Sequence, residues 1–329
     1  MYTRFNLFGF LVSTLIQILG LYGVITVNLF CIFYWHYEKE PGNRLIWHIP
    51  LGPIPTMLFL TINTLAYIAF VSHIRWGSSD PGVMTDEIKP PTIVPKKEVR
   101  DWYKWGIDWK PFRAHHCSVW KACIFKMDHH WPWTNNCIGL KNMKYFFLFW
   151  LYSSIGGILS LLLHFFAFYK YFYDTETDYS TFSYYYTIWG WFLFDIFGSI
   201  MFPAICIPLI RSQWEVFEYN QTYIEDLKNL YGKPYGIMTG LNVHLGQDRL
   251  WWWLPTKPVL CINYWERSYT EREIETRIFK QYTLYEFDPQ EKLKAKEWQE
   301  SRKDRLIFII FTLLLTAVAY TFKFRYFST

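Results

Sequence analysis

Residues 145–169 read YFFLFWLYSSIGGILSLLLHFFAFY, a run of 25 residues without Asp, Glu, Lys or Arg. An α-helix rises about 1.5 Å per residue, so a run of this length can cross the roughly 30 Å hydrocarbon core of a bilayer. Three further runs are equally poor in charge: residues 5–37, 49–74 and 184–210, the last of which contains one acid, Asp195. The sequence therefore predicts an all-α polytopic membrane protein with four transmembrane helices.

A fifth apolar run covers residues 306–322 and has 17 residues, which is the lower limit for a helix that spans a bilayer. Whether this run forms a fifth transmembrane helix stays open. The runs divide the chain into five predicted regions: helices 1 and 2 (1–74), a charged segment rich in Cys and His (75–144), helices 3 and 4 (145–210), a C-terminal segment (211–305) and the candidate fifth helix (306–322).

The distribution of basic residues predicts the orientation. Of the 33 Lys and Arg, 27 lie in residues 75–144 and 211–305. Basic residues concentrate on the cytosolic side of membrane proteins, so we expect both segments to face the cytosol. The net charge of +5 then reflects this topology and an anionic cytosolic leaflet. The sequence contains no nucleic-acid-binding motif, so we expect the bilayer, and no nucleic acid, as a partner.

The segment between the second and third apolar runs carries the chemistry. Its residues 115–137 contain three Cys and four His, namely Cys117, Cys123, Cys137, His115, His116, His129 and His130. In a cytosolic setting such a cluster favours metal over disulfides, and zinc binds thiolate and imidazole ligands in fours. The alternative, buried thiols with unrelated surface histidines, accounts less well for seven such residues in 23 positions.

These residues are too few to complete two zinc sites with regular spacing. Where Cys-x-x-Cys pairs would supply the remaining ligands, the chain has Trp: Trp102 and Trp105 form one such pair, and Trp120 lies three residues from both Cys117 and Cys123. An indole nitrogen carries a hydrogen and only donates, so Trp cannot replace a thiolate ligand.

The stretch resembles the cysteine-rich domain of the DHHC family of protein S-acyltransferases (palmitoyltransferases). The family's pattern runs C-x-x-C and, a few residues later, K-P-x-R-x-H-H-C-S-x-C-x-x-C, followed by M-D-H-H-C-P-W and N-N-C-x-G. The matching residues are Lys110, Pro111, Arg113, His115, His116, Cys117, Ser118, Cys123, Met127, Asp128, His129, His130, Pro132, Trp133, Asn135, Asn136, Cys137 and Gly139. Outside this domain, residues 80–82 (Asp-Pro-Gly) also match. Residues 220–225 resemble the family's T-T-x-E element with Tyr223 at the second Thr, and residues 242–255 loosely resemble its C-terminal element.

The departures from this pattern are all of one kind. The four positions at which the family has Cys and this chain does not are Trp102, Trp105, Trp120 and Trp131, where the match of the first two allows one extra residue before Lys110. Decay of a zinc site would introduce several residue types. We therefore interpret the substitutions as Cys codons read as Trp, since Cys and Trp codons flank one stop codon that some genetic codes reassign. The alternative is a catalytically inactive relative.

The resemblance implies the reaction and its residues. A Cys thiolate at the position of Trp131 would take palmitoyl or a similar chain from acyl-CoA and pass it to substrate proteins with membrane-proximal cysteines. Asp128 would orient His129, which would deprotonate the thiol. The ligands implied for the first structural zinc are at Trp102, Trp105, His116 and Cys123, and those for the second are at Cys117, Trp120, His130 and Cys137. As written, the chain lacks the nucleophile and three of these ligands.

Two competing functions stay open at this point: a protein S-acyltransferase of an endomembrane (ER or Golgi) or the plasma membrane, and an inactive DHHC-like membrane scaffold or binding protein. A transporter is less consistent with the sequence, because the apolar runs lack paired charges. Asp195 either lines an acyl cavity or makes a helix–helix hydrogen bond, and we expect His164 to be a packing residue.

Overall fold

The computed structural model describes residues 7–28, 53–85, 88, 110–173, 182–232, 236–262, 264, 266 and 269–270. The candidate fifth helix at residues 306–322 lies outside the described residues, as do Trp102 and Trp105. The predictions made for them therefore stay predictions.

Four long helices in the described residues correspond to the four long apolar runs. They are α1 (Leu7–Thr26), α2 (Pro53–Ser78), α3 (Met143–Tyr173) and α4 (Phe182–Tyr219). Each is long and apolar enough to cross a membrane. Large apolar side chains such as Leu21 on α1 and Phe197 on α4 are exposed, which water would penalise and lipid tails favour. The prediction of a membrane protein with four candidate transmembrane helices is confirmed.

Helix α4 is longer than its apolar run. Its 38 residues continue nine positions past residue 210, to Tyr219. The added turns are amphipathic: Gln213, Val216 and Phe217 are buried, whereas Arg211 and Glu215 form an exposed ion pair one turn apart. A hydropathy run marks only the part of a helix that is apolar all round, so it missed this extension.

The chain forms two compact units, and the described part of one comprises residues 14–28, 53–70, 149–173 and 182–209. Val27, Ile62 and Leu163 form an apolar core within it. Asp195 on α4 lies with its Oδ2 2.9 Å from Nε2 of the buried His164 on α3. Asp195 is thus in close polar contact with His164 between α3 and α4, but these two atoms do not have the geometry of the predicted hydrogen bond.

The described part of the other unit comprises residues 7–13, 71–85, 88, 110–148, 210–232 and most of 236–270. Two antiparallel hairpins form its centre. Strand β1 (Ala114–Cys117) pairs with β2 (Ala122–Phe125), and β3 (His129–Trp131) pairs with β4 (Asn136–Ile138). The all-α prediction omitted these hairpins, because strands of three or four residues rich in Cys and His lack the alternating apolar pattern that marks a strand.

The C-terminal part of this unit packs against the hairpins. It contains α5 (Tyr223–Leu227), β5 (Leu230–Tyr231), α6 (Ile237–Leu245) and β6 (Tyr269–Thr270), with β5 and β6 antiparallel. Leu260 and Ile262 join the core formed by Met84 and Phe125. Gly240 on α6 lies so close to the Phe217 carbonyl that a Cβ there would overlap it. The close approach fixes α6 against the last turns of α4.

Candidate active site and metal centre

Asp128 and His129 form a hydrogen-bonded pair at the start of β3. His129 Nδ1 lies 2.8 Å from Asp128 Oδ2. The carboxylate is 2% exposed, and it accepts two more hydrogen bonds, from the Tyr223 backbone N–H to Oδ1 at 2.7 Å and from Gln213 Nε2 to Oδ2 at 3.3 Å. A buried carboxylate needs such donors, and together they fix its orientation towards the imidazole.

The second ring nitrogen of His129 is available to accept a proton. Nε2 is buried and has no hydrogen-bond partner among the described residues. The imidazole lies in an aromatic setting, with ring centroids 5.2 Å from Trp131 and 5.9 Å from Phe146. An imidazole held at Nδ1 by a carboxylate, with Nε2 open, is the arrangement of a general base.

Position 131 is occupied by an aromatic side chain packed among others. The Trp131 ring lies 6.0 Å from Trp76, 5.2 Å from Trp133 and 5.9 Å from Phe146. An indole offers neither a thiolate nor a free lone pair. The site as written therefore contains a base and its orienting carboxylate next to a residue that cannot be a nucleophile.

Three of the predicted ligands of the second zinc come together. The ligand atoms of Cys117, His130 and Cys137 all lie within 4.8 Å of one another, and His130 and Cys137 face each other across the β3–β4 hairpin. Hydrogen bonds from Cys137 and His130, with the Trp120 backbone N–H, outweigh burial and lower the pKa of the Cys117 thiol to about 4. Zinc binds thiolate and imidazole at such separations, so these residues fit three corners of a tetrahedral site.

Trp120, at the fourth corner, packs without offering a ligand. Its side chain is buried in an apolar cluster with Ile124 and Met127. The indole N–H donates to the Asn135 carbonyl oxygen at 3.2 Å. The residues therefore fit a zinc site with one protein ligand missing.

Two of the predicted ligands of the first zinc also come together. His116 and Cys123 are paired across the β1–β2 hairpin, with His116 Nδ1 3.8 Å from Cys123 Sγ. Their spacing fits two of four ligands, and the other two predicted positions, Trp102 and Trp105, lie outside the described residues. His115, one position earlier, belongs elsewhere: its Nε2 lies 3.9 Å from Glu225.

We expect the chain as written to bind well under two zinc ions, because Trp supplies no ligand at three positions. Trp120→Cys should complete the second site and add about one zinc per chain, with higher stability because metal binding is coupled to folding. Zinc per chain is measured by elemental analysis of the purified protein. Trp253→Cys, at an exposed Trp, is the matched control and should add none. Two tightly bound zinc ions in the unaltered chain would refute the ligand assignment.

A buried ion network, which the sequence did not predict, joins the first hairpin to the segment after α4. The Arg113 guanidinium forms a two-pronged ion pair with Glu225, and both side chains are fully buried. Arg113 Nη1 also donates to Asn220 at 2.7 Å and Glu266 at 2.9 Å, and Lys126 Nζ lies 2.7 Å from Glu266. Burial by itself raises the pKa of the Glu225 carboxyl, but Arg113 outweighs it and holds that pKa well below its ordinary value.

This network positions the site. Glu225 belongs to α5, which begins with Tyr223, and the Tyr223 N–H binds Asp128. Arg113 and Glu225 thus fix the segment that orients the carboxylate. The sequence marked both only as motif residues, because a single chain does not reveal which charges 112 positions apart meet.

The remaining motif residues close the loops around the hairpins. The Asn136 amide donates to the Trp76 and Ser79 carbonyls at 2.7 and 3.0 Å, which caps the end of α2. Asp80 Oδ1 accepts from the Gly82 and Val83 N–H groups. Each of these polar residues therefore has a structural function within this unit.

The fold and the site define a helical membrane protein with an Asp–His pair and a Cys/His cluster suited to zinc. A model of the DHHC palmitoyltransferase family matches residues 97–230. The chain is 36% identical over 226 residues to palmitoyltransferase ZDHHC3-A of Danio rerio, which covers 60% of this chain and 66% of that protein. It is 40% identical over 207 residues to palmitoyltransferase ZDHHC3 of Homo sapiens, which covers 54% of this chain and 66% of that protein. With palmitoyltransferase ZDHHC16A of Danio rerio it shares 57% identity over 133 residues, 40% of this chain and 30% of that protein.

The chain contains a DHHC palmitoyltransferase domain in residues 97–230. It spans just under two thirds of the length of the ZDHHC3 relatives, at 66%. The resemblance drawn from the sequence is thereby confirmed.

Proposed function

We propose that the protein is a protein S-acyltransferase that uses a cysteine at position 131. The observation that carries this proposal is the Asp128–His129 pair. The Nε2 of His129 has no hydrogen-bond partner among the described residues, and the imidazole ring lies 5.2 Å from the ring of residue 131. The names of the relatives, all palmitoyltransferases, support the same reaction.

The reaction has two steps. His129 Nε2 takes the proton of the thiol, and the thiolate attacks the thioester carbonyl of acyl-CoA. A new sulfur–carbon bond forms, and CoA leaves as a thiolate that takes up the proton. In the second step, His129 Nε2 takes the proton of a substrate cysteine, whose thiolate attacks the acyl-enzyme carbonyl. The cysteine at 131 leaves as a thiolate that takes up the proton. Asp128 keeps a proton on Nδ1 of His129, so that Nε2 is the basic nitrogen in both steps.

Zinc, where bound, would be held by Cys117, His130, Cys137 and a cysteine at 120, and by His116, Cys123 and cysteines at 102 and 105. Sites with four protein ligands are structural, so the metal would fix the hairpins and take no part in bond making. The hairpin register supports this assignment, because each hairpin pairs one His with one Cys.

The setting of the reaction follows from the charge distribution. Residues 75–144 and 211–305 would face the cytosol, where acyl-CoA is available, between and after the helix pairs at 1–74 and 145–210. Substrates would be proteins with cysteines near the membrane surface. The membrane would be an endomembrane or the plasma membrane.

The native residue at 131 is the direct test. We expect the tryptic peptide covering residues 127–141, from the organism that makes the protein, to have the mass for Cys at 131, because every departure from the pattern of the cysteine-rich domain replaces Cys by Trp. Mass spectrometry of that peptide and the codons at 102, 105, 120 and 131 give the answer. A Trp mass at 131 would contradict the misreading hypothesis and leave the inactive scaffold as the function.

A further inference from the structure

Gln213 donates a hydrogen bond to the same carboxylate oxygen of Asp128 that is bound to His129. Its Nε2 lies 3.3 Å from Asp128 Oδ2, and the His129 Nδ1 lies 2.8 Å from that atom. Gln213 is 2% exposed and lies in the amphipathic extension of α4. Neither the family's motifs as quoted above nor the sequence pattern assigns this residue a role.

The hydrogen bonding of Gln213 indicates that its amide N–H group, which donates to Asp128, is the functional part of the side chain. Its Oε1 is buried with no hydrogen-bond partner among the described residues, while its Nε2 serves Asp128. Burying an amide with its acceptor unpaired costs free energy that an apolar side chain of similar shape would not. If this side chain served only for packing, Met or Leu would therefore be more stable at this position than Gln.

Two donors from one stretch of chain hold the carboxylate at both oxygens. The Tyr223 N–H binds Oδ1 at 2.7 Å, and Gln213 binds Oδ2, so the plane of the carboxylate is fixed from α4 and the start of α5. With the plane fixed, Oδ2 faces Nδ1 of His129, and the imidazole keeps its hydrogen on Nδ1. The lone pair then lies on Nε2, the nitrogen without a partner among the described residues.

We propose that Gln213 is a positioning residue for acyl transfer: its amide holds Asp128 so that His129 keeps the hydrogen on Nδ1 and the lone pair on Nε2. The proposal deepens the proposed function and rests on it for its effect on rate, but its effect on the imidazole can be observed without any reaction.

The first measurement uses the chain as written. In protein with ¹⁵N-labelled His, we expect the NMR signals of the His129 imidazole to show a protonated Nδ1 and an unprotonated Nε2. These signals are assigned by their absence from the spectrum of His129→Ala. Gln213→Met, which keeps the shape and removes the donor, should give a mixture of the two tautomers. Gln213→Glu, which places a second carboxylate against Asp128, should change the signal at least as much. Gln247→Met, the same change at an exposed glutamine, should leave it unaltered.

The second measurement uses the chain with Cys at 102, 105, 120 and 131. We expect Gln213→Met to lower kcat for self-acylation from palmitoyl-CoA by about 10- to 100-fold, since a small misplacement of a catalytic group costs this much. The KM for palmitoyl-CoA and the zinc content should stay as in the parent, and Gln247→Met should be indistinguishable from it.

The outcomes separate the two proposals. An unchanged His129 tautomer in Gln213→Met overturns the positioning role. Loss of zinc from both Gln213 variants, with zinc retained in Gln247→Met, also overturns it, because Gln213 would then be needed for folding. A parent chain that takes no label while the tautomer shift occurs leaves the positioning role standing and refutes the acyltransferase.

Discussion

His129→Ala is expected to lower self-acylation about 10²–10⁴-fold in a chain that carries Cys at 102, 105, 120 and 131, with the zinc content unchanged. The reason is that His129 contacts the carboxylate of Asp128 through Nδ1 and presents an open Nε2, so it contributes a base and no metal ligand. The measurement is hydroxylamine-sensitive label from palmitoyl-CoA on the purified protein, together with zinc per chain.

His130 is the matched control, one residue away. Its Nδ1 lies 3.3 Å from Cys137 Sγ and 3.8 Å from Cys117 Sγ, so His130→Ala should lose zinc and label together. Asp128→Ala should lower the rate and spare the zinc, because its role is orientation. If His129→Ala releases zinc while His130→Ala keeps it and abolishes only the chemistry, the two roles are reversed.

Arg113→Leu is expected to destabilise the protein by about 3–5 kcal/mol, because it leaves the buried Glu225 carboxylate without its partner. Arg211→Leu removes a guanidinium that is 83% exposed and pairs with Glu215 one turn along α4. That variant should change the free energy of unfolding by no more than about 0.5 kcal/mol.

The free energy of unfolding in detergent, followed by circular dichroism, measures both variants. The two changes are the same in chemistry and differ in burial, so equal effects would show that the network adds no stability. Because Tyr223 lies next to this network, Arg113→Leu should also weaken the hydrogen bond that reaches Asp128.

The helices could be predicted because the thickness of a bilayer sets the length of an uncharged run. The Cys/His composition of residues 115–137 predicted a metal site. The Asp128–His129 pair and the two hairpin ligand pairs could be assigned only because the sequence resembles the DHHC pattern. The other donors to Asp128 could not be predicted: Gln213 lies 85 positions away and Tyr223 lies 95. Contacts at such separations depend on the tertiary fold, which hydropathy and spacing do not encode.

The pairing of Asp195 with His164 has a consequence for how the protein is made. A helix that enters the membrane alone with an Asp near its centre pays about 2.5–3.5 kcal/mol. Helix α3, with His164, is synthesised before α4, so an imidazole is already present when α4 leaves the translocon, and its Nε2 reaches Asp195 at 2.9 Å. We therefore expect α4 to insert less efficiently when His164 is replaced by Leu, and Asp195→Leu to restore insertion. Glycosylation sites placed on either side of α4 would report this, and equal insertion with and without His164 would show that α4 enters the bilayer independently of α3.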